Sequence, residues 1–477
     1  MAGNLMQWSK LLDWQRLHED RGWWFSPARS PWQVDYDRIV FSSAFRRLQD
    51  KTQVFPLSDS DYVRTRLTHS IEVSTVARTL GTRAGAIILE NHGDKKVINE
   101  ERISGKVVRR EATALGKLIF PGDFGAILAA AAIAHDLGNP PFGHSGEDAV
   151  RHWFKTSKLL KGVRKRLSKA QRADLANWEG NAQGFRILSK LQLYKQERGG
   201  MRLTHATLAA YCKYPTLSGG VKEGSRNASR HKVGIFDAEQ GDFQIVAERT
   251  GLLRGSVAGT WCRHPLAFLM EAADDVCYRV IDLEDAVRVG CIDFETAKPL
   301  LERIAQKMPK DRLDRIPDPT DKIAYLRAAA INALIDEVID EFKKREPAML
   351  KGKFTKALGD GIPSRGVLKE IKDLMKVKVY CNRGVLEVEA AGFQIIPGLL
   401  DLFWTAVSDG VRKKEPGMNL KASKVLALIP EEYCGPKGDT REAIYERLLR
   451  IADYVSGMTD SYALGVYRKL NGITMPG

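Results

Sequence analysis

The 477-residue chain has few of the features that mark membrane, secreted or zinc-ribbon proteins. It contains no run of about 18 apolar residues, which a membrane-spanning helix would need, and its first residues do not follow a signal-peptide pattern. Its six cysteines form no CxxC pair, which argues against a zinc ribbon or a disulfide scaffold. It also lacks long strand alternation, a βαβ rhythm and an internal repeat. These absences predict a mainly α protein with no membrane segment, located in the cytoplasm.

The composition provides apolar sequence for a sizeable core and an excess of basic residues. Hydrophobic residues make up 44% of the chain, which indicates a globular protein. The 74 Lys and Arg against 59 Asp and Glu give a formal net charge of +15. Such an excess predicts attraction to polyanions such as nucleic acid or nucleotides. Solubility alone is the other explanation, and composition does not separate the two.

Four stretches predict surface or peripheral structure. Residues 1–50 hold five of the nine tryptophans, and this aromatic density favours a packed or intersubunit arm over a base-stacking platform. Residues 92–120 are charged without clear periodicity, which predicts a solvated loop or an exposed helical insertion. The basic run 155–172 is more often a solvated helical face than a polyanion contact. The Gly/Ser/Lys-rich residues 216–243 predict a loop.

The most informative stretch is an apolar helix that ends at His135 and Asp136. Residues 125–134 are almost purely apolar and favour a helix, and a Gly-Asn-Pro-Pro turn follows. His144 and Glu147 come next, at the predicted start of another helix. A buried polar pair is costly unless it has a partner, and imidazole with carboxylate suits a divalent metal. For an isolated His-Asp pair, a helix cap followed by a turn is the more common explanation.

Two further helices each present an unusual polar group. His69 lies near the start of a predicted helix that runs to about residue 90, and either Asp274 or Asp275 lies on a long helix that begins at His264. Adjacent residues differ by about 100° around a helix, so only one aspartate can point directly at a given site. Together with His135 and its neighbour, these groups could hold an octahedral divalent metal and leave positions for water and a phosphate oxygen.

Six blocks, found in this order, resemble the HD-domain phosphohydrolases and, within them, the bacterial dGTPase branch of the deoxynucleoside triphosphate triphosphohydrolases. The blocks are Lys51–Leu57, Arg64–Ser70, His135–Glu147, Glu179–Gly184, Met270–Asp275 and Asp453–Asp460. The resemblance covers nearly the whole chain from about residue 40. It implies a mainly α fold, an HD-domain helical bundle elaborated by additional helices and charged insertions.

The resemblance also implies residue roles. The metal ligands would be His69, His135, Asp136 and Asp274, the last because the family's ligand is the first of the two aspartates. His144 would be the catalytic histidine, with Glu147 beside it to orient it or tune its pKa. Positions where the family contacts triphosphate, ribose or base hold Arg66, Lys213, Tyr214, Tyr278 and Asp282, and Gln53 is a further expected contact. Core packing for Tyr278, and a surface helix end for Lys213 and Tyr214, remain alternatives.

The implied reaction is hydrolysis of dGTP, and of other dNTPs in some members, at the α-phosphorus to give a deoxynucleoside and inorganic triphosphate. The ligand set favours Mg or Mn and also accepts Co, Ni or Fe. The family forms homo-oligomers, here expected to be hexamers, and some members need an activating nucleotide. The alternatives are another HD-type nucleotide phosphohydrolase, a nucleic-acid-binding protein with a residual site, and an active enzyme modulated by single-stranded DNA.

The expected domain organisation has three parts. An N-terminal arm occupies residues 1–50. The HD phosphohydrolase core follows at 51–290 and carries the insertions at 92–120 and 216–243. A C-terminal helical region, 291–477, would complete the substrate site and the assembly.

Overall fold

A computed structural model describes most of the chain. The described residues are 5–19, 29–54, 63–92, 97–103, 106–112, 119–192, 199–222, 224–225, 227–412 and 419–474. Trp23 and Trp24 of the predicted arm, and residues 55–57 of the first sequence block, lie outside these ranges.

The described residues are mainly helical, as predicted. The first half of the chain contains α1 Trp8–Leu11, α2 Pro31–Val40, α3 Ser43–Arg46, α4 Arg66–His92, α5 Pro121–Ile133, α6 Gly143–Thr156, α7 Lys161–Arg166, α8 Lys169–Ala176, α9 Gly180–Arg186, α10 His205–Tyr211 and α11 Gln240–Thr250. The second half contains α12 Pro265–Arg288, α13 Phe294–Ile304, α14 Lys310–Asp314, α15 Pro319–Leu350, α16 Arg365–Lys378, α17 Arg383–Arg412, α18 Leu420–Leu428, α19 Glu431–Cys434, α20 Arg441–Ser456 and α21 Asp460–Leu470.

Single helical turns connect several of these helices. They include the 3₁₀ turns Arg47–Asp50, Lys158–Leu160, Ser218–Gly220, Ala228–Arg230, Asp237–Glu239 and Leu358–Asp360, and a π-helical turn at Ile187–Leu191. The segment 216–243 is therefore largely a loop, as predicted, with short 3₁₀ turns, and α11 begins at its end.

The insertion at 92–120 differs from the prediction, because its described part forms two antiparallel strands rather than a loop or a helix. The strands are β1 Val97–Ile103 and β2 Lys106–Ala112, and Val97 pairs with Ala112. Each strand holds β-branched residues, Ile98 and Val107 among them, which favour strands. The segment also has many charged residues, and its sequence pattern therefore did not indicate strands.

A close crossing of α4 and α5 organises the centre of the molecule. A Cβ atom at Gly81 would lie 2.6 Å from the Phe124 carbonyl oxygen, and one at Gly125 would lie 2.4 Å from Thr82 Oγ1. Only glycine allows the two backbones to approach so closely. Buried Ser74 on α4 donates to the Ala129 carbonyl of α5, at 3.0 Å. The crossing fixes where the ends of both helices lie.

Ionic contacts join the start of α4 to α12. Arg64 donates to Glu72 at 2.8 Å and to Glu284 at 2.8 Å, and it also pairs with Asp285. Arg64, one of the two arginines that precede His69, therefore holds α4 and α12 together.

Two hydrophobic cores lie around these helices. The first contains α4, α5 and α12 and also takes in the N-terminal segment, where Trp8 and Trp32 are buried. The second joins α6 to α17 and α20. Within the described residues, Arg383–Gly410 is long and apolar enough to cross a membrane, but half of its most apolar window is buried. Leu399 and Phe403 of this helix belong to the second core, as expected for the core helix of a globular protein.

A buried ionic network ties α9 to α20. Arg186 is fully buried, contacts Asp453 through Nε at 3.0 Å and Nη2 at 2.9 Å, and donates to Glu239 at 2.5 Å. Gln183 also donates to Asp453, at 2.8 Å. The sequence blocks at 179–184 and 453–460 are therefore in contact.

Arg186→Met is expected to lower the free energy of unfolding by about 3–5 kcal/mol, because it leaves buried Asp453 without its cation and Glu239 with only Lys190, 3.7 Å away. The exposed pair of Arg303 with Glu370 provides the control, and Arg303→Met should leave the urea midpoint nearly unchanged. Equal urea midpoints for the two variants would contradict this role of Arg186.

Candidate active site

Three polar side chains from three helices meet at one buried point. His69 of α4 places Nε2 3.3 Å from Oδ1 of Asp274 on α12. His135, just after α5, places Nε2 3.5 Å from the same oxygen. One ligand atom from each residue lies within 4.8 Å of the others. We call His69, His135 and Asp274 the ligand group.

The hydrogen bonds of the ligand group suit metal binding. Nδ1 of His135 lies 2.8 Å from the Ala132 carbonyl oxygen, a contact that fixes this nitrogen as the donor and leaves the Nε2 lone pair facing the group. Burial lowers the pKa of His135, which favours the neutral, ligating imidazole. Burial opposes charge on His69 as well, but its hydrogen bond to Asp274 raises the pKa overall. A divalent cation would replace that shared proton, so the donor set fits a metal.

Asp136 lies beside the ligand group and is held by two other side chains. Its Oδ2 accepts from Arg66 at 2.7 Å and its Oδ1 accepts from Asn139 at 2.6 Å, while Oδ1 is 3.4 Å from Nε2 of His135. Burial alone would raise the pKa of Asp136, but its neighbours His135 and Arg66 lower it well below its usual range. The carboxylate is therefore ionised, and both of its oxygens accept hydrogen bonds within the protein.

A cavity of about 460 Å³ opens onto the ligand group. It is polar at the end where the ligand group lies, and apolar side chains contribute elsewhere. Its lining comprises Thr52, Gln53, Val54, Arg66, His69, His135, Asp136, Asn139, Phe142, Gly143, His144, Asp274, Asp275, Tyr278, Tyr380, Val385, Val388 and Glu389. The cavity has the size expected of a small-molecule site.

His144 is at the cavity wall, in the first turn of α6. Its side chain is 80% exposed, and Nδ1 lies 3.6 Å from Oε2 of buried Glu147. Glu147 also accepts from the Gly180 amide at 2.8 Å. Burial raises the pKa of Glu147, but His144, Lys232 and the amide together lower it below its usual value. An ionised carboxylate therefore faces one ring nitrogen of His144, and the other nitrogen is left for the cavity.

The predicted substrate residues fall into two sets. Gln53, Arg66 and Tyr278 line the cavity. Lys213, Tyr214 and Asp282 are not part of its lining. Half-buried Lys213 donates to Oδ2 of Asp274, so it contacts the ligand group directly.

Tyr214 and Asp282 lie away from the lining. Tyr214 is half-buried, with the Arg263 guanidinium 5.4 Å from its ring centre. Asp282 is 1% exposed, and its Oδ2 has no hydrogen-bond partner among the described residues. Asp274, Tyr278 and Asp282 follow one another at four-residue steps on α12, but only Asp274 and Tyr278 line the cavity.

Sequence reasoning missed the part of the wall contributed by Tyr380, which lies between α16 and α17, and by the start of α17. Tyr380 donates to the Tyr278 hydroxyl at 2.6 Å, and Val385, Val388 and Glu389 of α17 also line the cavity. The short sequence around these residues carries no recognisable motif, and only the packing of α16 and α17 brings it to the cavity.

Comparisons with known proteins agree with this arrangement. Residues 66–211 match the HD domain, and residues 364–469 match the phosphohydrolase-associated domain. The chain is 40% identical to a deoxyguanosinetriphosphate triphosphohydrolase-like protein of Synechocystis, over 98% of this chain and 100% of the relative. It is 34% identical to a protein of the same description from Pseudomonas aeruginosa, over 99% and 100% of the two chains. It is 30% identical to a deoxyguanosinetriphosphate triphosphohydrolase of Serratia proteamaculans, over 92% and 93%.

The chain belongs to the deoxyguanosinetriphosphate triphosphohydrolase family. The resemblance that the six sequence blocks indicated is thereby confirmed, and so is the HD-domain fold. Membership in a family with an HD domain implies a divalent metal, and the ligand group is where the described residues could hold it.

His135→Ala is expected to weaken Mn²⁺ or Co²⁺ binding by at least about tenfold, because it removes one of the converging ligands; loss of a supporting residue alone costs about 10–100-fold. The measurement is calorimetric titration, with the Co²⁺ visible absorption band as a second readout. His92→Ala is the control, since His92 pairs with Glu346 and does not line the cavity. Equal metal affinity in the two variants would contradict the assignment.

Proposed function

We propose that this protein is a metal-dependent deoxynucleoside triphosphate triphosphohydrolase that converts dGTP, and in principle other dNTPs, to the deoxynucleoside and inorganic triphosphate. The observation that carries the proposal is a single cavity lined both by the exposed His144 and by the ligand group. The names of relatives that match the chain along nearly its whole length support the same substrate class.

The ligands would be His69, His135, Asp136 and Asp274, with Mg or Mn as the favoured ion and Co, Ni or Fe as alternatives. When bound, such an ion supplies Lewis-acid polarisation of a phosphate oxygen and a template for the attacking water. Lys213 supports the site by pairing with Asp274. We assign to Arg66 two tasks, since it holds Asp136 and its guanidinium lines the cavity where an anionic phosphate would lie.

His144 would transfer the proton that the displacement requires. Water oxygen bonds to the α-phosphorus while the bond from that phosphorus to the 5′-oxygen breaks, so triphosphate and deoxynucleoside separate. Nε2 of His144 would donate a proton to the 5′-oxygen or accept one from the water. Glu147 is a positioning residue that faces Nδ1 and keeps the imidazole oriented.

The remaining contacts would recognise the nucleoside. Gln53 and Tyr278 line the cavity and can reach a bound sugar or base. For Tyr214 and Asp282 we retain a substrate role as part of the proposal, although they lie behind the lining residues. Substrate contact by these two would require the cavity wall to rearrange.

Wild-type protein loaded with Mn²⁺ is expected to convert dGTP to deoxyguanosine and triphosphate, resolved by anion-exchange chromatography. Each dNTP and GTP is tested alone and in mixtures. His144→Ala should lower kcat by about 10²–10⁴-fold, the usual contribution of a general acid or base, while Mn²⁺ affinity is retained. His152→Ala, on the same helix but outside the cavity lining, should retain activity.

Other outcomes distinguish the alternatives. Release of phosphate or pyrophosphate would contradict attack at the α-phosphorus and favour another HD-type nucleotide phosphohydrolase. Absence of turnover with every nucleotide and mixture would contradict an enzyme and favour a nucleic-acid-binding protein.

We further propose a homo-oligomer, with a hexamer as the expected state, an activating nucleotide, and a cytoplasmic location. The family resemblance supports the oligomer and the activating nucleotide, and six cysteines without a CxxC pair suit a reducing cytoplasm. Mixtures of nucleotides in the activity assay test the activator, and sedimentation velocity tests the hexamer.

Single-stranded DNA is a proposed partner, and the basic run 155–172 offers a surface for it. Five exposed lysines here have no ion pair with any described carboxylate: Lys155, Lys158, Lys161, Lys165 and Lys169. The arginines of the run are used within the protein. Arg164 donates to the Phe154 carbonyl at 3.0 Å, and Arg166 pairs with Asp439. Unpaired lysines of this kind attract phosphates without reading base sequence.

The triple variant Lys158→Gln, Lys161→Gln and Lys165→Gln is expected to weaken single-stranded DNA binding and to reduce the slope of log K against log[salt] by about 2, because each phosphate contact contributes about 0.7. Fluorescence anisotropy of a labelled oligonucleotide measures both quantities. The control triple replaces exposed Lys343, Lys351 and Lys353, which have no described ion pair. Equal slopes for the two triples would reject this surface.

A further inference from the structure

Asp460, the first residue of α21, is distant in sequence from the site but contacts two of its walls. Its side chain is buried, at 2% exposure, and does not line the cavity. Oδ2 accepts from the Thr52 backbone N–H at 3.0 Å and from Thr52 Oγ1 at 2.5 Å. Oδ1 accepts from the backbone N–H of Phe142 at 3.0 Å. The two oxygens of one carboxylate therefore hold two separate wall segments.

The Phe142 turn needs such a contact because its backbone is strained. Phe142 has φ 62° and ψ 25°, and Gly143 follows with φ 59°. A bulky residue with positive φ persists only where its surroundings enforce it. His144 comes directly after this pair, so the turn sets the direction in which the imidazole enters the cavity. The Phe142 ring is buried in the second core, which fixes the side chain, while Asp460 fixes the amide.

A second contact across the same junction involves Lys51. Its Nζ donates to the Asn139 carbonyl at 2.5 Å and to the Ser456 carbonyl at 2.7 Å. Lys51 therefore links three parts of the chain. They are the segment that leads into Thr52 and Gln53, the turn before His144, and the end of α20. Among the described residues, Asp460 supplies the only carboxylate that accepts hydrogen bonds from both Thr52 and Phe142.

We propose that Asp460 is a positioning residue for the reaction, which aims His144 by holding the strained turn at Phe142 and sets its separation from the Thr52–Val54 wall. The proposal rests on the proposed role of His144. Asp460→Asn keeps one acceptor oxygen but places an NH₂ group against a backbone donor, so one wall is released. Asp460→Ala releases both.

The chain offers a matched control in Asp35. Its Oδ2 accepts from the Thr204 N–H at 3.0 Å and from Thr204 Oγ1 at 2.6 Å, nearly the pattern that Asp460 makes with Thr52. Asp35 is fully buried, pairs with Arg16 and does not line the cavity. Asp35→Asn therefore removes similar contacts away from the site.

Asp460→Asn is expected to lower kcat for dGTP by at least about tenfold with a smaller change in KM, since a misplacement of 1 Å can cost about 10²-fold. Mn²⁺ affinity should stay within about twofold, because the ligand group lies on other elements. Amide hydrogen exchange should accelerate at Thr52 and at residues 142–146. Asp35→Asn should leave kcat and exchange at these residues unchanged.

Two results would overturn the proposal. An unchanged kcat with faster exchange would make Asp460 a structural residue only, and unchanged exchange would show that its bonds do not hold the turn. If wild-type protein hydrolyses no dNTP, the proposed function fails. Hydrogen exchange in Asp460→Asn then still reports whether this carboxylate holds the turn.

Discussion

The convergence of two imidazoles on one carboxylate oxygen, Oδ1 of Asp274, is the interaction on which the rest of the structure depends. Because His69 lies on α4, His135 follows the end of α5 and Asp274 lies on α12, their meeting requires the glycine-mediated crossing of α4 and α5 and the packing of α12 against both. A buried group of this kind is stable only if each charge has a partner. Lys213 partners Asp274 and Arg66 partners Asp136. Each of these two carboxylates therefore has a cationic side chain beside it.

The C-terminal part of the chain contacts this site and the segments that surround it. Arg186 ties α9 to Asp453, Lys51 bonds to the Ser456 carbonyl, and Tyr380 reaches Tyr278 across the cavity. Sequence blocks separated by hundreds of residues therefore face one another around a single pocket. His69 and His135 lie within the matched HD domain, Asp274 lies on α12 after it, and residues beyond 364 shape and hold the walls around the ligand group.

The parts of the site that sequence could predict are those with a local physical signal. An apolar helix that ends in His135 and Asp136 has to satisfy those groups, and a four-residue step places Tyr278 on the face of Asp274. Tyr380 lacked such a signal, and Asp460 was marked only as the last residue of the sixth sequence block. The contacts of both arise only when α16, α17 and α21 pack against distant segments. The β1–β2 hairpin was missed because its charge outweighed its β-branched residues. The roles assigned to individual site residues stay predictions.

We propose that one metal ion sits in the ligand group, with the triphosphate between it and His144. The most direct measurement is the crystal structure of Mn²⁺-loaded protein with a non-hydrolysable dGTP analogue, with data collected at the manganese absorption edge. The account predicts one anomalous peak among His69, His135 and Asp274, and the α-phosphate adjacent to His144. A peak elsewhere, or an analogue bound with its base beside the ligand group, would contradict it.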